Sequence, residues 1–421
     1  MAHRIRELLK DVLILLLAAA ITVLFLLALP SKTLTETPWL AAALKPVASF
    51  FGISQTELTA PQPERSGSPA ALPIDVSVRN KTGRCSFQYD FTALDAAYES
   101  LGGLLAQALD TAGTPQPSDR NALYSALSSE STAFRYPCAF DCGVLAAWLD
   151  VQTETSGLRA DRYVLEANGD TVRLYLSGED VFVCETRLSA ASFREAIADY
   201  RPDGSFFAFE SNDAAYRNID GSSLLPGKTP VLPRFSAQNP CDSRLITALA
   251  SELGFNPYGD STYFDDRGNA FFSEKNVSLQ IRTDGQLLLE SSDDSRFDAR
   301  SDAPADRIEA ARALLTRILG HLSGDARLYL TDAAEDGTCC FDYAVSGLPV
   351  LQPEGSAVTV TFSGAHIRSL KILLRGYLQQ NGQIPLLPTQ QAAAIADADG
   401  LLCICYAENF TQQLAAGWIC R

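Results

Sequence analysis

The hydrophobic pattern divides the chain into one uninterrupted run and a long succession of short alternating or helical patches. Val12 to Leu29 (VLILLLAAAITVLFLLAL) is an uncharged run of 18 residues. At 1.5 Å rise per residue it just spans a hydrocarbon core, which predicts a transmembrane anchor. Arg4, Arg6 and Lys10 precede it, which keeps residues 1–11 in the cytoplasm and sends the bulk outside the cell membrane. A cleaved signal peptide is the main rival reading. Its apolar region is usually roughly 7–15 residues and ends in a small-x-small site, whereas this run exits through Leu27-Ala28-Leu29-Pro30-Ser31. No lipobox cysteine follows, because the first cysteine is Cys85. A buried core helix is the third reading. Inside the run Ala18 and Thr22 form a small-xxx-small pair, which lets another membrane helix approach closely.

Residues 30–73 read as a stalk. Trp39 to Leu44 and Val47 to Ile53 are apolar enough for a short interfacial helix. Thr59 to Pro73 (TAPQPERSGSPAALP) has linker composition. An N-terminal ectodomain at 74–236 follows. Helical periodicity covers Leu94 to Leu109 and Asn121 to Ser128, and Phe140 to Leu149 holds an apolar cluster. Strand patterns run over Arg162 to Glu166, Val172 to Leu176 and Val181 to Cys184, with Asn168-Gly169 as a hairpin turn. Ser189 to Tyr200 is a short amphipathic helix, Phe206 to Phe209 another strand, and Pro226 to Pro240 a Pro-rich boundary.

A C-terminal domain at 237–421 has the clearer pattern. Asn239-Pro240 predicts a helix start, with Leu245, Leu249 and Leu253 on one face and Gly254 as the stop. Strands follow at Thr262 to Phe264, Ala270 to Ser273, Val277 to Arg282 and, after an Asp284-Gly285 turn, Leu287 to Leu289. The same order recurs. A helix from Pro304 to Leu322 precedes strands at Ala326 to Thr331, Cys339 to Ser346, Ala357 to Phe362 and Ile367 to Leu374, the last two joined at Ser363-Gly364. A half unit closes with helix Thr389 to Ala396, strand Leu401 to Tyr406 and a strand near Trp418. The predicted class is α+β. A single N-terminal transmembrane helix leads into an ectodomain of antiparallel sheets with helices packed on one face, duplicated in the C-terminal half.

Charge narrows the partners. With 50 Asp and Glu against 34 Lys and Arg, a net charge of −16, the chain would be repelled by nucleic acid and anionic lipid. At 47% hydrophobic it has material for packed cores. Ten cysteines accompany only three histidines. They are read as buried free thiols in core strands, with disulfides as the alternative that an extracytoplasmic location permits. A metal cluster of Cys339, Cys340, Cys403 and Cys405 lacks the paired C-x2-4-C spacing of structural zinc sites.

No catalytic constellation stands out, and no cofactor or metal is expected. G-x-S-x-G, S-x-x-K, H-E-x-x-H and the phosphate-loop pattern are absent. His3 is cytosolic, His321 ends a helix, and His366 is a turn-edge residue. The stretches Asp293-Asp294-Ser295 with Asp298, and Asp397-Ala398-Asp399-Gly400, lack the calcium-loop ladder and read as turns. Carboxylate pairs among the many acids remain a third possibility for chemistry.

The C-terminal half resembles the YycH/YycI family of membrane-anchored two-component-system regulators. The likeness rests on the single anchor, on Leu253-Gly254-Phe255-Asn256-Pro257-Tyr258 followed by a hairpin, and on Val277 to Leu289 with its Asp284-Gly285 turn. Phe341-Asp342-Tyr343 running into Gly347-Leu348-Pro349-Val350 and Ala357-Val358-Thr359-Val360 adds to it. Tyr406 and Trp418 flank a final hairpin as in PepSY-like folds. The likeness covers roughly 240–421 well and 75–236 loosely. The cysteines and the long stalk are departures. The resemblance implies a regulator of a sensor histidine kinase in cell-wall control in Gram-positive bacteria, acting through its membrane helix, beside a paralogous regulator. Ala18 and Thr22 are the expected contact with the kinase helices. The alternative is an anchored ligand-binding or wall-binding module without catalytic activity.

Overall fold

A computed structural model describes residues 71–292, 295–320, 322–397, 399–409 and 413–421. The membrane run, Ala18, Thr22 and the stalk to residue 70 lie outside the described residues, as do Asp293, Asp294, His321 and Ala398. Among the described residues no helix is long and apolar enough to cross a membrane.

The N-terminal sheet is built from hairpins. Its strands are β1 (Asp75–Asn80), β2 (Gly83–Phe87), β3 (Gln116–Ser118), β4 (Ser131–Asp141), β5 (Arg159–Asn168), β6 (Thr171–Ser177) and β7 (Val181–Ser189), in the order β2-β1-β4-β5-β6-β7-β3. The Asn168-Gly169 turn joins β5 to β6, with Asn168 opposite Thr171 and Gly169 at φ 59°. Only glycine takes that backbone without a Cβ penalty. In β5, Tyr163, Val164 and Leu165 are all buried in succession, so the strand has a covered face on each side. Phe134 opposite Tyr163 points to one face and Ala133 opposite Val164 to the other. Helix α1 (Phe91–Asp110) covers the first with Leu94, Leu101, Leu105 and Leu109. Helix α2 (Arg120–Ser128) covers the second with Leu123, Ala126 and Leu127. This departs from helices on one face: two non-alternating faces need two helical covers. Helices α3 (Cys142–Trp148) and α4 (Ala190–Ile197) complete this half, with Phe193 and Ile197 buried.

Two short connecting strands, β8 (Phe206–Phe207) and β9 (Leu224–Leu225), pair with each other. The expected strand at Phe206 to Phe209 stops after two residues because Ala208–Glu210 turns into a 3-10 helix. The expected boundary at Pro226 to Pro240 is also corrected. It contains β10 (Val231–Gln238), which forms a long antiparallel ribbon with a later strand, and Pro233 sits at that ribbon's bulge, where no ladder donor is needed. The 236/237 division falls inside β10.

Helix α5 (Ser243–Glu252) starts later than Asn239-Pro240 suggests, because Asp242 caps it by accepting from the Leu245 amide at 2.8 Å. The meander β11 (Thr262–Phe264), β12 (Ala270–Glu274), β13 (Val277–Ile281) and β14 (Gln286–Ser291) follows, with Gly285 at φ 94° in its last turn. Helix α6 (Pro304–Leu319) ends at Gly320, short of Leu322. Then come β15 (Arg327–Ala333), β16 (Thr338–Val345), β17 (Leu348–Leu351), β18 (Val358–Ser363), β19 (His366–Leu373), and β20 (Gly376–Pro385), the partner of β10. Helix α7 (Thr389–Ile395), β21 (Leu402–Glu408) and β22 (Leu414–Cys420) close the fold. The larger sheet runs β11-β12-β13-β14-β19-β18-β16-β17-β21-β22, with β15 on the far side of β16. A helix and a meander occur twice, and the last strands of the two meanders, β14 and β19, meet antiparallel in the middle. The β17–β21 pair is parallel.

The described residues all fall within one compact unit, and its main apolar cluster runs from Ala71 to Leu414, with two smaller clusters beside it. The halves are tied together where α1 meets β15. Arg327 makes two hydrogen bonds to Asp95, at 2.6 and 2.7 Å, and lies 4.1 Å over the Phe91 ring.

Candidate functional site

Charged residues embedded among apolar strand positions converge where the two sheets abut. Asp75 opens β1 between Ile74 and Val76, and Arg135 lies on β4 between Phe134 and Tyr136. Asp75 and Arg135 are register partners, so their side chains share a face. The Arg135 guanidinium donates to Asp75 Oδ2 at 2.5 Å, and Asp75 is only 4% exposed. Burial opposes the Arg135 charge, but Asp75, with Cys403 and Asp161 further out, more than offsets it and raises the guanidinium pKa. Opposite Arg135 on β5 stands Arg162, also buried, whose pKa burial lowers against the pull of Asp161.

Asp75 and Arg135 border a cleft of about 280 Å³. Four further polar side chains line it: Gln88, whose amide donates to Ser86 Oγ at 3.2 Å, and Asp161, Tyr89 and Arg421. Asp161 forms no ion pair and no side-chain hydrogen bond with another described residue. Burial raises its carboxyl pKa, outweighing the attraction of Arg162 and Arg135. Tyr89 is half-buried and makes no hydrogen bond through its phenol to a described residue. Burial raises that phenol, with Asp75 adding to the effect. Arg421 is exposed at the rim, within electrostatic reach of the Cys403 thiol, whose own pKa burial raises. Leu348, Pro349, Leu402 and Ile404 supply an apolar wall.

The cleft is held by a strained turn. Tyr89 has φ 71°, an uncommon state for an aromatic residue that costs of order 1–3 kcal/mol. It leads directly into α1, whose cap Asp90 accepts from the Thr92 amide at 2.9 Å. Across the cleft the β16–β17 hairpin turns through Ser346 and Gly347, at φ 52° and 78°. Ser346 Oγ donates to the Tyr89 carbonyl at 2.7 Å. A Cβ on Gly347 would stand 3.0 Å from the Tyr89 amide nitrogen, so any larger residue there would have to push the Tyr89 backbone aside.

The residues considered for chemistry from sequence lie apart from the cleft, except Cys403. His366 bonds through Nδ1 to Asp298 at the edge of β19. Asp399 sits in a turn whose amide donates to the Asn218 carbonyl at 2.7 Å. All ten cysteines carry free thiols. Cys339 and Cys340 sit on β16 and Cys403 and Cys405 on β21, with β17 between those strands. Among the described residues no group of three or more His, Cys, Asp or Glu is arranged to hold a metal ion. Sequence reasoning missed the cleft. The available signal was a charge inside an otherwise apolar strand, at Asp75, Arg135 and the Asp161-Arg162 pair.

The α+β arrangement of antiparallel sheets defines a class of fold that occurs among solved structures. The chain is similar to YycH from Bacillus subtilis, with a TM-score of 0.54 and 12% sequence identity over 84% of this chain and 95% of that one. No protein-family model matches the chain, and no curated protein matches it in sequence. The fold is YycH-like.

Proposed function

We propose that this chain is a membrane-anchored extracytoplasmic regulator of a sensor histidine kinase, with residues 12–29 as its membrane helix. The observation that carries the reading is the likeness to YycH across 84% of the chain, joined to the uncharged run at Val12 to Leu29. Such a regulator must bind one kinase state more tightly than the other, because equal affinity for both shifts nothing. Ala18 and Thr22 offer a close helix–helix approach for that contact, and the ectodomain biases it. A second reading is favoured by the charged cleft: an anchored ligand-binding module without a kinase partner.

The test is crosslinking and capture of the tagged full-length protein from its own membranes, beside a form whose residues 1–30 are replaced by an unrelated anchor. Recovery of a histidine kinase with the native anchor and its loss with the replacement is the expected result. Recovery of the kinase with neither form overturns the proposal. Replacing Ala18 and Thr22 together by Leu should weaken capture while export and ectodomain folding stay intact; undiminished capture would move the contact elsewhere.

A further inference from the structure

The cleft between the sheets has the properties of a ligand site, and its unpaired groups specify the ligand's chemistry. Nearly every buried polar group in a folded protein has a partner. Here the half-buried Asp161 carboxylate and Tyr89 phenol border one cavity without a side-chain hydrogen bond to a described residue, and the exposed Arg421 guanidinium stands at its rim. The Asp75–Arg135 pair is already neutralised, and Arg162, whose charge acts on Asp161, stands outside the lining, so the lining charges left for a ligand are one negative and one positive. A simple anion would face Asp161, and a simple cation would face Arg421. The volume, about 280 Å³, is many times the roughly 10–15 Å³ that one water needs. That suits a molecule of amino-acid or dipeptide size. The wall of Leu348, Pro349, Leu402 and Ile404 favours an apolar side chain.

We propose that this cleft binds a small zwitterion of amino-acid or dipeptide size, its ammonium held by Asp161 and its carboxylate by Arg421 at the rim. Tyr89, fixed in its left-handed backbone by the Ser346-Gly347 turn, presents its phenol as a further hydrogen-bonding group. The site draws on β1, β4, β5, the β16–β17 hairpin, β21 and the residue after β22. A bound ligand therefore touches both sheets, and its occupancy is felt at the junction between the halves of the fold. The inference stands whether or not a kinase is the partner, because binding is a property of this chain alone.

Calorimetric titration of the purified full-length chain with glycyl-leucine tests it, beside N-acetyl-glycyl-leucine, which lacks the ammonium, and glycyl-leucinamide, which lacks the carboxylate. Saturable binding of glycyl-leucine is expected. Acetylation should weaken it roughly tenfold or more, as loss of a charge-assisted hydrogen bond does, and Asp161→Asn should do the same. Amidation and Arg421→Gln should each cost roughly threefold, since the rim is solvated. In Asp161→Asn the acetylated and free dipeptides should bind alike, because the partner of the ammonium is gone. The two blocked ligands read the wild-type protein, so the outcome does not depend on a variant folding. Absence of saturable binding by glycyl-leucine, or binding that acetylation leaves unchanged, overturns the proposal.

Discussion

Two ion pairs of low exposure lie near the two ends of the C-terminal strand β21, and they are finished to different degrees. At one end, Arg375 donates to Glu408 Oε1 at 3.0 Å, Tyr377 donates its hydroxyl to Glu408 Oε2 at 3.1 Å, and Gln352 donates to Tyr377 at 2.7 Å. Both ions are little exposed, at 14% and 6% of the side chain, and only Gln352 Oε1 lacks a partner. This network ties the end of β17 to β20 and β21. At the other end, Asp75 and Arg135 satisfy each other, but Asp161, Tyr89 and Arg421 around them are left open to a cleft. A closed network secures a fold, whereas open groups over a cavity await something from outside. The first is closed by its own side chains, and the second is the cleft to which the proposed ligand is assigned.

The comparison breaks most readily at its closed end. Glu408→Gln leaves the Arg375 charge buried without a counter-ion, and removing one partner of such a pair costs about 3–5 kcal/mol. Urea titration of residues 67–421 should show that loss as a lower midpoint with an unchanged slope. Asp75→Asn should cost less, about 1–2 kcal/mol, because Asp161 remains within electrostatic reach of Arg135 and the cleft admits water. Equal losses at the two sites would mean that the cleft is as closed as the network.

How far the sequence reveals all this depends on distance along the chain. The β13–β14 hairpin was evident because alternation and an Asp-Gly turn are local signals, and α6 because its apolar stripe spans sixteen residues. The β10–β20 ribbon was hidden because its partners lie roughly 140 residues apart and Pro233 reads as a breaker until its bulge is known. The cleft was hidden for the same reason. Asp75, Arg135, Asp161 and Arg421 become neighbours only through strand register and the meeting of the sheets. What the sequence did display was a charge at a position where an apolar strand should have none, which is the trace that a tertiary site leaves in one dimension. Tyr89 left no such trace, since a left-handed backbone at an aromatic residue is imposed by the turn that presses on it.

That turn provides a smaller and sharper comparison. Gly347→Ala meets both a positive φ and the Tyr89 amide 3.0 Å away, whereas Gly364→Ala, at φ 63°, meets nothing within 4 Å. The second substitution isolates the backbone strain, about 1 kcal/mol. The first should cost about 1 kcal/mol more, and it should displace the tyrosine at the cleft mouth. A matching cost for both would show that the hairpin does not brace Tyr89.

The smallest effect separates a site from a scaffold most cleanly. Burial raises the Asp161 carboxyl pKa, despite Arg162 and Arg135 on one side and with Asp75 adding to the rise. A carboxyl whose pKa is higher in the folded than in the unfolded chain favours folding when protonated. That advantage is complete below the ordinary carboxylate pKa and is lost as the pH rises through the raised value. Asp161→Asn removes the ionisation, so it should leave stability at neutral pH unchanged or raise it by about 0.5 kcal/mol. The gap between variant and wild type should close as the pH falls through the raised pKa. Melting temperatures of the two proteins across that range give the answer. If Asp161→Asn destabilises at neutral pH, the carboxylate is part of the scaffold like Glu408. If it stabilises while dipeptide binding falls, the chain keeps an unfavourable charge in the cleft for the ligand's sake.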